Sequence, residues 1–134
     1  MKFYIKRLGC PKNDVDGDFL AGRLIEKGHE ITFEEGQAEL VIINTCGFIL
    51  PAKEESIAEI MYYGGLKKEN KIKRVYITGC LSQRYGRELF EQIPEVDGVF
   101  GLGEIEALVL AIGDDRRVLS VSRENIRDVA FNPA

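Results

Sequence analysis

Three cysteines, Cys10, Cys46 and Cys80, are the residues of this sequence best equipped for chemistry, and each abuts a glycine: Gly9-Cys10, Cys46-Gly47 and Gly79-Cys80. An odd number of thiols, far apart along the chain and without a C-x-x-C pair, does not make a disulfide framework. Glycine lets the backbone approach a bulky inorganic centre closely and turn its N–H groups toward sulfur. With no histidine nearby, three thiolates fall one short of a closed structural zinc site, whereas an iron-sulfur cluster held by three would keep one iron open to bind a substrate atom. Two other readings stay open on the residues alone. Free cysteine often serves as a small buried hydrophobe, and converging thiols could also run thiol-disulfide exchange.

What must bring these thiols together is a recurring unit: a block of β-formers, a small polar turn, then apolar residues at helical spacing. Lys2 to Leu8 ends at Gly9-Cys10-Pro11, and the helix after it sets Val15, Phe19, Leu20, Leu24 and Ile25 on one face before Gly28 stops it. His29 to Phe33 is a short strand candidate. Leu40 to Asn44 is an apolar strand closed by Thr45-Cys46-Gly47, with a helix from about Pro51 to Lys68. Arg74 to Thr78 runs into Gly79-Cys80 and a helix striped by Leu81, Tyr85, Leu89 and Phe90, which ends by Pro94. Val96 to Phe100 leads to a helix with Ile105, Leu108, Val109 and Ile112 inward, and Arg117 to Val121 is an edge-strand candidate.

About five strands alternating with four helices predict an α/β, flavodoxin-like doubly wound sheet, mostly parallel, in the order 2-1-3-4-5 with helices on both faces. In that order the strands preceding Cys10, Cys46 and Cys80 are immediate neighbours about 4.8 Å apart, so their thiols fall on one sheet edge within roughly 10 Å. The gap between the first and third strands is the topological switch point, where open α/β sheets place ligands. Each cysteine turn also leads into a helix, whose positive N-terminal end favours a thiolate and an anionic cluster.

Composition narrows the function classes. The 134 residues are 45% hydrophobic with no low-complexity stretch, which fits one globular domain able to hold a core without staples. Lys plus Arg number 18 against 22 Asp plus Glu, a net charge of −4, so direct nucleic-acid binding through a broadly basic surface is not expected. No apolar run approaches the roughly 20 residues of a membrane span and no signal-peptide pattern opens the chain, so a cytoplasmic protein is expected.

Other groups have plainer readings. Asn13 and Asn44 suit capping or hydrogen bonds near the cysteines. Asp14, Asp16 and Asp18 read as complements to a helix dipole rather than a metal pocket. Gly101-Leu-Gly-Glu104 lacks the third glycine and the lysine of a phosphate grip. Lys67, Lys68, Lys71, Lys73 and Arg74 read as a solvated helix end, and His29 as structural.

The segments Leu8-Gly-Cys-Pro-Lys-Asn13, Asn44-Thr-Cys-Gly-Phe48 and Gly79-Cys-Leu-Ser-Gln-Arg-Tyr85, with Ile93-Pro-Glu-Val-Asp97, resemble the amino-terminal domain of radical-SAM methylthiotransferases. The resemblance covers nearly the whole chain and is nearer to the ribosomal-protein branch than to the branches that modify a tRNA adenosine. It implies that Cys10, Cys46 and Cys80 ligate an auxiliary [4Fe-4S] cluster whose unligated iron holds the sulfur to be inserted. It also implies a downstream radical-SAM domain with a second [4Fe-4S] cluster and S-adenosylmethionine, and a TRAM domain for substrate. The C-x-x-x-C-x-x-C of the second cluster does not occur in these residues. The implied product is a methylthio group on the β-carbon of an aspartate in a small-subunit ribosomal protein. The other reading kept beside it is a flavodoxin-like flavin or nucleotide module with packed cysteines.

Overall fold

A computed structural model describes residues 2–8, 11–45, 50–101, 104–112 and 117–120, with the side chains of 11–17, 50–53 and 80–84 left out. The continuous apolar run Leu40 to Ile43 is fully buried and forms the centre of strand β3, Leu40–Thr45. On either side lie β1, Lys2–Arg7, and β4, Arg74–Gly79. Strands β2, Glu30–Ile31, β5, Gly98–Phe100, and β6, Val118–Ser120, complete a sheet ordered β2-β1-β3-β4-β5-β6. Every pairing is parallel. The switch point between β1 and β3 stands as expected.

Because side chains alternate across a strand, β3 and β4 feed two cores. Val41, Ile43, Val75 and Ile77 pack with Ile60 and Tyr63 of helix α2, Leu50–Lys68, and Leu89 of α3, Cys80–Gln92. Phe3, Leu40, Ile42 and Tyr76 pack with Leu20 and Leu24 of α1, Pro11–Glu26, and Leu108 and Val109 of α4, Ile105–Ala111. Each fully buried aliphatic side chain contributes roughly 1.5–3 kcal/mol of transfer free energy.

The edge-strand candidate at Arg117 to Val121 stands, with Val118–Ser120 as a sixth strand that extends the order beyond β5. A single 3-10 turn, Glu35–Gln37, lies between β2 and β3. One expectation needs adjustment. On α1, Leu20 and Leu24 are buried but Phe19 and Ile25 are about half exposed, because the helix meets the sheet along a stripe narrower than its apolar arc.

The edge of the sheet where the strands begin is closed by charge and hydrogen bonding. Asp97, 7% exposed, accepts the Val75 N–H at 2.9 Å and Lys67 Nζ at 2.7 Å, while its own N–H donates to Val75 O. Arg117 donates to Val96 O at 2.9 Å and to the carbonyls of Phe90 and Ile93, and its guanidinium stacks 4.0 Å over the Phe90 ring. The turn Ile93 to Asp97 is thereby clamped between β4, β5, α2 and α3. Nearby, Tyr62 and Tyr63 donate to the two carboxylate oxygens of Glu35 at 2.6 and 2.8 Å.

Burial first, and then the bond to Glu35, raises the Tyr63 phenol well above its usual range. Its folded pKa exceeds the unfolded value of about 10, so the stabilisation is complete below that pH and is lost as pH rises. Above about pH 10 urea denaturation should therefore show falling stability, with a shallower fall in Tyr63→Phe. At neutral pH that variant should be about 1 kcal/mol less stable.

Candidate functional site at the carboxyl ends of the central strands

The site begins with three neighbouring strand ends. Arg7 of β1 stands in register with Asn44 of β3, Asn44 with Thr78 of β4, and Thr45 with Gly79. The Leu8 N–H donates to Asn44 O at 3.0 Å, so the β1–β3 ladder runs to within two residues of Cys10 in the sequence. Thr45, fully buried, donates its Oγ1 proton to Thr78 O at 2.7 Å, tying the last turn-ward residues of β3 and β4 together.

Gly79 closes this junction. Its φ of 105° lies in the left-handed region that side chains rarely adopt. A Cβ there would stand 2.5 Å from Thr45 O, 2.7 Å from Thr45 N and 2.9 Å from Asn44 Oδ1. The glycine beside Cys80 is thus required on two counts, conformation and close backbone approach.

Cys80 is the first residue of α3 and its backbone follows Gly79 directly. Its side chain, and all of Cys10 and Cys46, lie outside the described residues. What the structure brings together is the set of strand ends from which the three cysteines depart, at adjacent places in one sheet. Counted along the sequence, Cys46 and Cys80 are each one residue beyond the paired Thr45 and Gly79, and Cys10 is three beyond Arg7.

Helices α1, α2 and α3 start from this same edge, so their positive ends favour anionic groups there. Three cysteines that each follow one of these adjacent strand ends in the sequence, with a glycine that brings two backbones into contact, make a donor set whose chemistry would suit an iron-sulfur cluster.

Asp18 sits well inside α1 and pairs with Arg7 at 2.8 Å, a cross-element contact rather than a first-turn dipole complement. The side chains of Asn13, Asp14 and Asp16 lie outside the described residues, while Asn44 is buried at the end of β3. In the basic cluster, Lys67 pairs with Asp97, Lys68 with Glu95, Lys71 with Glu69 and Lys73 with Glu39. The bond from Lys73 is the main reason the Glu39 carboxyl is held below its usual range. His29 precedes β2 at the opposite edge. Glu104 accepts from Ser120 Oγ at 3.3 Å, and residues 102 and 103 of the glycine loop lie outside the described residues.

A cavity of about 320 Å³ opens between α2 and α3, lined by Ile57, Met61, Tyr85, Glu88, Leu89 and Ile93 together with Gln92. Among the described side chains that line it, the one charged group is the Glu88 carboxylate, which does not suit the phosphate of a flavin or nucleotide.

Sequence reasoning passed over Thr45. The available signal was a hydroxyl residue ending a strand that opens with four apolar residues, where burial demands a hydrogen-bond partner.

The family model described as Uncharacterized protein family UPF0004 matches residues 2–101, a span that holds all three cysteines. A protein of Thermosipho africanus named ribosomal protein uS12 methylthiotransferase RimO is 52% identical over 115 residues, 86% of this chain and 27% of the relative. Proteins of the same name are 49% identical in Bdellovibrio bacteriovorus, over 78% of this chain and 23% of the relative, and 42% identical in Myxococcus xanthus, over 87% and 25%. The chain spans about a quarter of the length of these curated relatives.

Two glycine substitutions should separate the junction from ordinary helix surface. Gly79→Ala should cost roughly 2 kcal/mol or more, through strain and the clash with Thr45. Gly65→Ala, in α2 with nothing within 4 Å of the added carbon, should stabilise by about 0.5–1 kcal/mol. Urea midpoints of the two variants check both signs.

Proposed function

The chain belongs to the UPF0004 family, and from that premise we propose that it is the amino-terminal, cluster-bearing domain of a methylthiotransferase that modifies a ribosomal protein. The observation that carries the proposal is the adjacency of β1, β3 and β4, whose locked ends each lead to one cysteine. The name of these relatives supports uS12 as the acceptor and methylthio transfer as the reaction. In the resemblance to radical-SAM methylthiotransferases, the acceptor atom is an aspartate β-carbon, and the radical comes from a second domain of the longer protein with S-adenosylmethionine.

In this reading the thiolates of Cys10, Cys46 and Cys80 hold an auxiliary [4Fe-4S] cluster. When bound, that group supplies an iron without a protein ligand, at which the sulfur to be transferred is held. The chain's own residues do the rest. The parallel ladder keeps three donors at one edge, the helix ends favour their thiolate forms, and Gly79 brings the backbone close. Two cores beneath the edge keep the scaffold rigid, so each donor departs from a fixed point.

The acidic balance of the chain and the ion-paired lysines at the opposite edge support a protein acceptor over a tRNA contacted by this domain. No helix among the described residues is long and apolar enough to cross a membrane.

Anaerobic reconstitution with ferrous iron and sulfide tests the reading. The parent chain should gain broad visible charge-transfer absorbance and bind iron and sulfide in about equal amounts. Each single Cys→Ala variant should lose most of that iron and the triple variant all of it. Absorbance that survives in the triple variant would remove the basis for a thiolate-held cluster.

A further inference from the structure

The junction between β3 and β4 contains more than a backbone ladder. Parallel strands are ordinarily held by main-chain bonds alone, yet here the fully buried Thr45 adds a side-chain bond of 2.7 Å to Thr78 O. Both partners flank the proposed ligands in sequence: Thr45 immediately precedes Cys46, and Thr78 stands two residues before Cys80. Gly79, between them, is pressed against Thr45 so closely that no β-carbon fits. Among the described residues, the pairing of Thr45 with Gly79 is also the last rung of the β3–β4 ladder.

We propose that Thr45 is a positioning residue for the metal centre. Its buried hydroxyl, bonded to the Thr78 carbonyl, sets the separation at which the backbone leaves β3 toward Cys46 and leaves β4 toward Cys80. The proposal rests on the reading that these two cysteines ligate a cluster, and it assigns to Thr45 a role that strand formation alone does not require. A β-branched apolar residue would satisfy the strand and the core at this position. It would leave the carbonyl of Thr78 without the hydroxyl and the last rung without its cross-tie. Serine keeps the hydroxyl and with it the positioning function, whereas valine keeps only the shape.

The test uses the parent chain with Thr45→Val, Thr45→Ser and Thr45→Ala, each reconstituted anaerobically with ferrous iron and sulfide. Two properties are read: the electron paramagnetic resonance spectrum of the reduced centre and the rate of iron loss to a chelator. Thr45→Val should shift the spectrum and lose iron several-fold faster than the parent, while Thr45→Ser stays close to the parent on both. Should Thr45→Val fail to fold, the Ser and Ala variants carry the comparison, with Ala behaving as described for Val. Hydroxyl-free variants matching the parent in spectrum and iron retention would overturn the assignment of Thr45 alone. A parent chain that binds no iron in a cysteine-dependent way would instead overturn the cluster reading on which the assignment stands.

Discussion

Registration of three parallel strands governs everything else in this molecule. The ladder between β1 and β3 sets Arg7 beside Asn44, and the ladder between β3 and β4 sets Thr45 beside Gly79. A slip of one residue in either would turn a strand's buried side chains to the opposite face, so the two cores enforce the register with all their burial energy. The strand ends that precede Cys10, Cys46 and Cys80, cysteines 36 and then 34 positions apart in the chain, thereby lie side by side. Local sequence alone does not create that proximity.

The two edges of the sheet are built differently. Where the strands begin, Asp97, Lys67, Glu39, Lys73 and Arg117 bind the loops and helix ends to the strands. Charge-assisted bonds and a clamped turn make that edge a foundation. Where β3 and β4 end, the described contacts involve small polar groups and backbone: Thr45 with Thr78, and Gly79 against Asn44 and Thr45. In the proposed function this edge presents thiols to an inorganic centre, a role that calls for close backbone approach.

Much of this architecture was legible in the residues. The apolar run Leu40 to Ile43 announced a strand buried on both faces, and Gly79-Cys80 announced a turn into a helix. The doubly wound order followed from the alternation of β-formers with helical stripes, and the motifs around the cysteines pointed to the family that the comparison found. Less legible were contacts set by tertiary geometry. Phe19 and Ile25 fit the helical periodicity yet face outward, because period fixes a face and not the width of the groove that receives it. Asp18 looked like a helix-end charge until its partner Arg7 was known. Thr45 read as part of a turn because nothing local shows that a hydroxyl will meet a carbonyl 33 residues away.

Proximity of the three sulfurs can be measured without iron. The reduced, folded chain would be treated with a short bifunctional thiol reagent and the joined peptides identified by mass spectrometry, with a urea-unfolded sample as control. Cys10–Cys46, Cys46–Cys80 and Cys10–Cys80 products should form, all depending on the native fold. A cysteine that reacts readily yet never joins the other two in the folded chain would contradict that proximity.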